Sequence, residues 1–481
     1  MDILALRAYA SSQARRLWLP LTMLVLALTA VLCRPLLPVD ETRYVTVAWE
    51  MYLRQGWFEP LTLNFQPYHH KPPLLFWMIN VSWAVFGISR WAATVPVVLS
   101  ALASVCLTAV LGRMLFPQAL KDTDRTAMVM VATVPYLAYS TVILFDLTLT
   151  VFVLLALIGI VRFARERSWR HVALIGISLG LGVLAKGPVA LLYVAFPALC
   201  APLWVSDFRQ AGRWYLGILA ALGLAAVIVL TWLIPVLTGA DGNFAYWLLW
   251  EQTAGRVTGN LEAHIWPFYF YLPLLPLMVT PWLFLANFWK GAAILRREIR
   301  QSEGGRFLLA WIVPTFLCFC VISGKQPHYL VPLLPGVMIF TALCLKEVST
   351  RQMGQGVAIM IALVIAGQII AAFTFLKRYD VAPITEYVQS RQDRDWAFVP
   401  YSHGMFGFLA RLEKPVADIK REDLPSWFAE NPEGYAIIVY KDPKDVAAYQ
   451  AVLDRRYRGS RMGVFSAPVA IEETNARLPA E

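Results

Sequence analysis

The stretch of sequence that decides the fold lies between residues 146 and 187 and reads DLTLTVFVLLALIGIVRFARERSWRHVALIGISLGLGVLAKG. Two apolar runs, 147–163 and 171–185, enclose a segment with three arginines, and each run is close to the length that crosses a bilayer as a helix. Backbone amides and carbonyls in lipid must be satisfied within the segment itself. This stretch therefore predicts two membrane-spanning helices joined by a basic loop.

Apolar runs of this kind recur along most of the chain. The sequence has 481 residues, of which 58% are hydrophobic and 15% charged, and this excludes a soluble domain of its size. No cleavage pattern of small residues follows the first run, so we expect an uncleaved helix and not a signal peptide. About eleven spans are expected, at residues 17–37, 91–115, 126–145, 147–163, 171–185, 187–205, 214–238, 266–289, 307–323, 327–345 and 353–376.

The basic residues assign the two faces of the membrane. Residues 73–89 are apolar, and if they lie at the interface instead of spanning, every basic cluster falls in a cytoplasmic loop, as the positive-inside rule requires. We therefore predict a periplasmic first loop, residues 38–90, with interfacial helices. The formal net charge of +10 is then explained by topology, and no nucleic-acid partner is expected.

The opposite loops combine acids, histidines and single lysines. They carry Asp40, Glu41, His69, His70, Lys71, Asp146, Lys186, Glu251, Arg256, Lys325 and His328. A transporter or flippase would place its charges near the midplane between repeats, whereas these lie at the ends of spans on one face. A site on the periplasmic face is therefore the leading interpretation, with an ion-coupling path through Asp146 and Lys186 as the alternative.

The texture of the sequence changes after residue 376, where charged residues become frequent. We predict a transmembrane domain over residues 1–376 and a small soluble α/β domain over 377–481, placed in the periplasm by the odd number of spans. Its expected strands and helices are Trp396–Val399, Ala436–Tyr440, Asp423–Glu430 and Asp442–Leu453. The six cysteines fall in or beside apolar spans, and no disulfide is assigned to them.

Three acids are candidate catalytic residues. Asp40 and Glu41 follow the first span in Asp40-Glu41-Thr42-Arg43-Tyr44, and a carboxylate there is suited to accept a proton from an attacking hydroxyl. The alternative is that both acids stabilise the start of the following helix and that Arg43 pairs with one of them. Asp146 is a single carboxylate in an apolar stretch, so it needs a partner. Lys186 is a single cation in a similar stretch and needs one as well.

Several basic and aromatic residues are candidates for binding a donor phosphate, and the aromatic ones are Tyr68 and Tyr329. Lys71, Lys186 and Lys325 each lie beside an apolar run, where an ammonium group stabilises the negative charge of a leaving phosphate, although any membrane protein has lysines at its interfaces. Arg256 offers a planar fork for phosphate oxygens. His70, with an acid from another loop such as Glu251, is a candidate ligand of a divalent metal.

The ordered set of motifs resembles a known family, the bacterial undecaprenyl-phosphate-dependent glycosyltransferases of the GT-C fold, which include the lipid A aminoarabinose transferase and related protein mannosyltransferases. The resemblance covers residues 15–345. Its elements are the Asp40–Tyr44 motif, Tyr68 with Lys71-Pro72, Asp146, Lys186-Gly187, the Trp250–Arg256 stretch, and Ser323-Gly324-Lys325 with Tyr329. This chain departs from the aminoarabinose transferase pattern at His70, where that pattern has an acid, and at Gln252, where it has a histidine.

The resemblance implies an inverting transfer of sugar from a polyprenyl-phosphate donor to a periplasmic acceptor such as lipid A or another envelope glycan. In that scheme Asp40 is the central carboxylate, Lys71 holds the donor phosphate, and no nucleotide cofactor is involved. A protein O-glycosyltransferase with the same donor is the alternative enzyme. A monomer in the cell inner membrane is expected.

Overall fold

The computed structural model of the protein describes residues 3–121, 123–239, 244, 246–248 and 265–467. Helices make up most of it, and the chain divides into two compact units. The first unit contains Met1–Arg34, Gln55–Thr62 and Pro67–Ile370, and the second contains Pro35–Arg54, Leu63–Gln66 and the chain from Ala371 onward.

Eighteen α-helices are present in the described ranges, numbered here in chain order. They are α1 (Ile3–Cys33), α2 (Asp40–Arg54), α3 (Leu74–Phe86), α4 (Arg90–Leu115), α5 (Thr123–Val131), α6 (Val134–Tyr139), α7 (Asp146–Glu166), α8 (Trp169–Lys186), α9 (Val189–Leu199), α10 (Ala201–Trp204), α11 (Ala211–Thr238), α12 (Leu275–Val279), α13 (Ala286–Glu298), α14 (Glu303–Val321), α15 (Leu334–Cys344), α16 (Thr350–Phe373), α17 (Ala382–Gln389) and α18 (Leu424–Glu430). Short 3-10 turns cover Phe268–Leu274, Trp282–Phe284, Pro327–Leu333, Phe375–Arg378, Arg421–Asp423 and Pro443–Val446.

Seven helical segments of the described chain are long and apolar enough to cross a membrane. They are α4, α7, α8, α11, α14, the continuous segment Pro327–Cys344, and α16. The two runs in the stretch that opened the sequence analysis are α7 and α8. These segments confirm a multi-span membrane protein.

The other predicted spans are shorter or interrupted in the structure. The first retains an apolar helix over Leu17–Cys33, whereas 126–145, 187–205 and 266–289 are each divided into short helices and turns. Prolines stand at or near these breaks, including Pro135, Pro202 and Pro281. Proline lacks an amide donor and disfavours the helical conformation of the residue before it, so an apolar run with prolines need not be one helix.

Helix α3 has only 13 residues. At 1.5 Å per residue it is about 20 Å long, which is short of the roughly 30 Å of a hydrocarbon core. The interfacial position of residues 73–89 stays a prediction.

Helix α8 packs against both α7 and α11 in the first unit. Small residues allow α8 and α11 to approach closely: a Cβ atom on Gly180 would lie 2.9 Å from Cβ of Ile228, and one on Gly176 would lie 2.8 Å from the Ala221 carbonyl oxygen. Gly187 ends α8 with a φ of +89°, which places Lys186 in the last turn. The close packing fixes the position of that turn.

The second unit is built on a mixed five-stranded sheet. Its strands are β3 (Trp396–Val399), β4 (Ala417–Asp418), β5 (Tyr435–Tyr440), β6 (Gln450–Tyr457) and β7 (Ser460–Ser466), and a separate two-stranded ladder pairs β1 (Thr62–Leu63) with β2 (Gln66–Pro67). The order in the sheet is β4-β3-β5-β7-β6; β3 is parallel to β4 and β5, and β7 is antiparallel to β5 and β6. Helix α17 packs in the apolar cluster on one face and α18 in the cluster on the other.

The strands at Trp396–Val399 and Ala436–Tyr440 are confirmed, and a helix covers most of Asp423–Glu430. The predicted helix Asp442–Leu453 is wrong: a 3-10 turn begins at Pro443 and strand β6 begins at Gln450. Pairing with β7 through residues 450–457 gives this segment its backbone partners, and this tertiary contact outweighs its helical composition.

Two segments that precede α3 in the chain belong to the second unit. The side chain of Asn64 donates to the Val416 carbonyl over 2.7 Å and accepts from the Val416 amide over 2.8 Å. The carboxylate of Glu50, in α2, accepts from the amide of Phe65 over 2.9 Å. Residues 35–54 and 63–66 are therefore built into the same unit as the C-terminal sheet.

Candidate functional site

The first unit contains a cavity of about 440 Å³. Its wall is mostly apolar, with a few polar groups at distinct points, as is typical of binding sites for small molecules and lipids. The lining comes from the loop before α3, the junction of α8 and α9, helix α11 and the residues around the turn after α14. These are His69, His70, Lys71, Pro72, Val183, Leu184, Lys186, Gly187, Pro188, Val189, Leu192, Tyr193, Val229, Trp232, Leu233, Leu248, Phe319, Ile322, Gly324 and Tyr329.

Two predicted phosphate-binding lysines, Lys71 and Lys186, line this one cavity. The ammonium nitrogen of Lys71 lies 5.9 Å from the centroid of the Phe145 ring, at the start of α7. His70 stands beside it, with its ring 5.2 Å from that of Tyr68. Tyr68 is itself buried, and its amide donates to the Leu61 carbonyl over 2.7 Å.

Lys186 forms an ion pair with Asp146, and both side chains are almost completely buried. Asp146 is the first residue of α7, where the positive end of the helix dipole favours a carboxylate, and Lys186 ends α8, where the dipole favours a cation. The same ammonium nitrogen lies 4.8 Å from the centroid of the Tyr329 ring. The pairing satisfies the requirement that buried charges have partners, while Lys186 still faces the cavity.

Tyr329 also lines the cavity, and a hydrogen bond holds its backbone in place. Its carbonyl accepts a hydrogen bond of 2.6 Å from the hydroxyl of Tyr193, in α9. The Tyr193 ring in turn lies 5.2 Å from that of Phe319. The structure thus brings together Lys71, His70, Lys186 and Tyr329 of the residues predicted from the sequence.

Lys325 has a different environment. Its side chain is 2% exposed and its ammonium group donates to the carbonyls of Trp266 over 3.0 Å and Ile322 over 2.6 Å. Burial lowers the pKa of this lysine. Within the described chain Lys325 is not part of the cavity wall, and its contacts join the turn at residues 322–325 to residue 266.

Asp40 and Glu41 lie in the second unit, at the start of α2. Arg43 donates to the Asp40 carboxylate over 2.5 Å, and the hydroxyl of Tyr44 donates to it over 3.2 Å. Asp40 is half-exposed. Glu41 is buried and accepts from the amide of Leu37 over 2.8 Å, so its carboxylate holds the chain that leads into α2.

Glu251 and Arg256 lie outside the described residues. Among the residues that are described, no group of three or more histidine, cysteine, aspartate or glutamate side chains could hold a metal ion. His70 is in the cavity wall, and the metal site that would pair it with Glu251 stays a prediction.

Two cavity residues, Tyr193 and Trp232, were missed by the sequence analysis. Both lie inside apolar runs, where an aromatic side chain is usually part of the core. Trp232 is 5% exposed, and its indole N–H has no acceptor among the described residues. One sequence signal could have identified them: the hydroxyl of a tyrosine or the indole N–H of a tryptophan in a spanning helix needs a hydrogen-bond partner.

The family model described as dolichyl-phosphate-mannose-protein mannosyltransferase matches residues 70–238. This range begins at His70 and ends with α11. It contains Lys71, the Asp146–Lys186 pair and most of the cavity wall.

Curated relatives have names that describe transfer of a sugar from undecaprenyl phosphate. The undecaprenyl phosphate-alpha-4-amino-4-deoxy-L-arabinose arabinosyl transferase 1 of Sodalis glossinidius is 29% identical over 347 residues, covering 70% of this chain and 60% of the relative. The transferase 1 of Pseudomonas fluorescens strain Pf-5 is 31% identical over 302 residues, covering 61% and 53%. The chain thus spans little more than half of the length of these relatives.

Solved structures share the fold. ArnT from Cupriavidus metallidurans, bound to undecaprenyl phosphate, has a TM-score of 0.75 at 17% identity, covering 94% of this chain and 98% of that one. The archaeal oligosaccharyltransferase AglB from Archaeoglobus fulgidus has a TM-score of 0.52 at 12% identity, covering 89% of this chain and 70% of that one. These similarities confirm the GT-C fold class and the resemblance to lipid-linked glycosyltransferases that the sequence motifs predicted.

Proposed function

We propose that this protein is a glycosyltransferase that takes its sugar from a polyprenyl-phosphate donor, with undecaprenyl phosphate as the carrier. The observation that carries the proposal is the cavity, where two lysines share a wall that is otherwise mostly apolar. A lipid phosphate needs this combination, since its isoprenoid chain requires apolar surface and its phosphate requires cations. The names of the curated relatives support the choice of carrier.

The proposed reaction is a single displacement at the anomeric carbon, which inverts its configuration. An acceptor oxygen forms a bond to that carbon, the bond from the carbon to the phosphate oxygen breaks, and the polyprenyl phosphate leaves with the electron pair. Lys71 and Lys186 stabilise the negative charge that grows on the phosphate. If the acceptor is a hydroxyl, Asp40 takes its proton, and if it is a phosphate, no base is needed and Asp40 orients the substrate.

The acceptor is proposed to be a lipid or glycan of the cell envelope, such as lipid A, reached at the periplasmic face of the inner membrane. The distribution of basic residues in the loops supports that orientation. A protein acceptor is the second candidate, because the matching family model describes protein mannosyltransferases. Mass spectrometry of lipids, glycans and proteins from cells with and without the gene distinguishes the two, since only one fraction changes in mass by a sugar residue.

The donor site is tested by binding of undecaprenyl phosphate to the purified protein in detergent. Lys71→Ala should weaken binding on the order of tenfold or more, which is the effect of losing one charge-assisted hydrogen bond. Lys346→Ala is the matched control, because this exposed lysine follows α15 and does not line the cavity.

The control should bind as the unaltered protein does. Equal binding by the Lys71→Ala variant would contradict the assignment of the cavity as the donor site.

A further inference from the structure

The helix that begins at Asp40 is held by a segment about 360 residues later in the chain. Thr46, in α2, is completely buried; its hydroxyl donates to the Gly404 carbonyl over 2.7 Å and accepts from the Phe408 amide over 3.0 Å. One turn further along α2, the indole of Trp49 donates to the Leu412 carbonyl over 2.9 Å. Residues 402–412 are called the α2-binding segment below.

The α2-binding segment has a backbone shaped for this contact. A Cβ atom on Gly407 would lie 2.4 Å from the methyl carbon of Thr46, so only glycine fits there. Gly404 has a φ of +69° and His403 a φ of +49°, both in the left-handed region that disfavours most side chains. This turn presents the Gly404 carbonyl to the Thr46 hydroxyl.

The charged partner of Asp40 also acts on residues at or just before the start of this segment. Arg43 pairs with Asp40, and its positive charge acts on Tyr401 and His403. Burial and then the positive charge of Arg43 lower the pKa of His403. Burial and the charge of Asp418 raise the pKa of Tyr401, while Arg43 opposes that rise.

We propose that the α2-binding segment is a positioning device for Asp40, and that Thr46 is the residue through which it acts. The proposal rests on the proposed function, in which Asp40 serves the acceptor. It makes the C-terminal region part of the transfer machinery, through the helix that carries the candidate carboxylate.

The geometry of a rigid helix explains why this contact matters. Thr46 is six residues from Asp40, a distance of about 9 Å along the axis. A tilt of roughly ten degrees about Thr46 moves Asp40 by more than about 1 Å, and misplacements of this size cost on the order of a hundredfold in rate. Glu41 and Arg43 would move with it.

The experiment compares three variants of the full-length protein in a sugar-transfer assay with an undecaprenyl-phosphate sugar. Thr46→Val keeps the shape and removes both hydrogen bonds, and Thr46→Ser keeps the hydroxyl. Thr385→Val is the matched control: it removes a buried hydroxyl from α17 of the same unit, where the bond is to Val381 within the helix. Hydrogen exchange of the α2 amides is measured in parallel.

Thr46→Val should lower kcat on the order of tenfold to a hundredfold, with the donor KM and undecaprenyl phosphate binding unchanged and faster exchange of the α2 amides. Thr46→Ser should restore kcat, and Thr385→Val should behave as the unaltered protein. A Thr46→Val enzyme with normal kcat overturns the proposal, as does an equal loss in the Thr385→Val control.

Failure of the proposed function is recognised separately, because the unaltered protein then neither binds undecaprenyl phosphate nor transfers sugar. This outcome overturns the proposed function and the positioning role of Thr46 together.

Discussion

At the scale of single residues, the buried ion pair between Asp146 and Lys186 is the most informative feature. The sequence allowed two interpretations of these residues, a structural pair or members of a site. In the structure Lys186 pairs with Asp146 and also lines the cavity beside Tyr329, so a structural role and the predicted role in a site are compatible. A buried cation with a buried counter-ion holds its position without a substrate, which is the preorganisation that a leaving phosphate requires.

The two roles of Lys186 are separable by mutation. Lys186→Met leaves Asp146 as an uncompensated buried charge and should lower the free energy of unfolding by about 3–5 kcal/mol. The double variant Asp146→Asn with Lys186→Met should recover most of that loss, because no buried charge remains. Unfolding in detergent, followed by tryptophan fluorescence, measures both.

Binding of undecaprenyl phosphate provides the second measurement on the same proteins. The double variant should remain weakened in binding although its stability is restored, because the cavity has lost a cation. Normal binding by a stable double variant would show that Lys186 serves only the fold.

Lys325 is a residue whose environment could not be predicted from the sequence. Three lysines, each beside an apolar run, had equivalent sequence contexts, yet only Lys71 and Lys186 line the cavity. Lys325 donates instead to two backbone carbonyls. The direction of a side chain at the end of a helix depends on which loop packs against it, and the sequence of that helix does not contain this information.

At the scale of secondary-structure elements, hydrophobicity predicted where the chain enters lipid better than where each helix begins and ends. The runs that became α7 and α8 were located within a few residues. The run at 266–289 instead divides into short helices and turns near its prolines. Apolar composition indicates whether a segment lies in lipid or in water. Proline and tertiary packing decide whether its backbone forms one helix.

The contact between α8 and α11 yields a prediction at this scale. Gly180→Ala places a Cβ atom 2.9 Å from Cβ of Ile228 and 3.2 Å from the Ala225 carbonyl oxygen. Overpacking of this kind should lower the free energy of unfolding by about 1–3 kcal/mol. Gly223→Ala is the matched control, because a Cβ atom on this α11 glycine would meet no other part of the described structure within 4 Å.

Thermal unfolding in detergent measures the two glycine variants side by side. Gly180→Ala should melt at a lower temperature than the unaltered protein, and Gly223→Ala should not. Since α8 carries Lys186 and α11 carries Trp232, undecaprenyl phosphate binding should weaken in the first variant only. Equal melting temperatures would contradict a close α8–α11 contact.

At the scale of the whole molecule, the sequence indicated a change of texture after residue 376, while the second compact unit also includes residues 35–54 and 63–66. Composition locates a boundary only where solvent changes along the chain. Helix α2 has the buried side chains of a core helix, among them Tyr44, Val45 and Trp49, but the surface that buries them comes from a segment distant in sequence. A single sequence carries no signal of that pairing.

This discontinuous unit predicts the behaviour of the C-terminal region in isolation. A fragment starting at Ala371 lacks α2, so it exposes the apolar surface that covers Trp49 and leaves the Gly404 carbonyl and Phe408 amide without the Thr46 hydroxyl. Burial of one large aromatic contributes about 3–5 kcal/mol, a large share of the roughly 5–15 kcal/mol that stabilises a domain. The fragment should therefore unfold at a lower temperature and be cleaved faster by protease than the same region of the full protein.

A peptide of residues 35–54 added in trans should restore protection, whereas the same peptide with Thr46→Val and Trp49→Ala should not. Protection of the fragment without any peptide would show that α2 is dispensable for this unit.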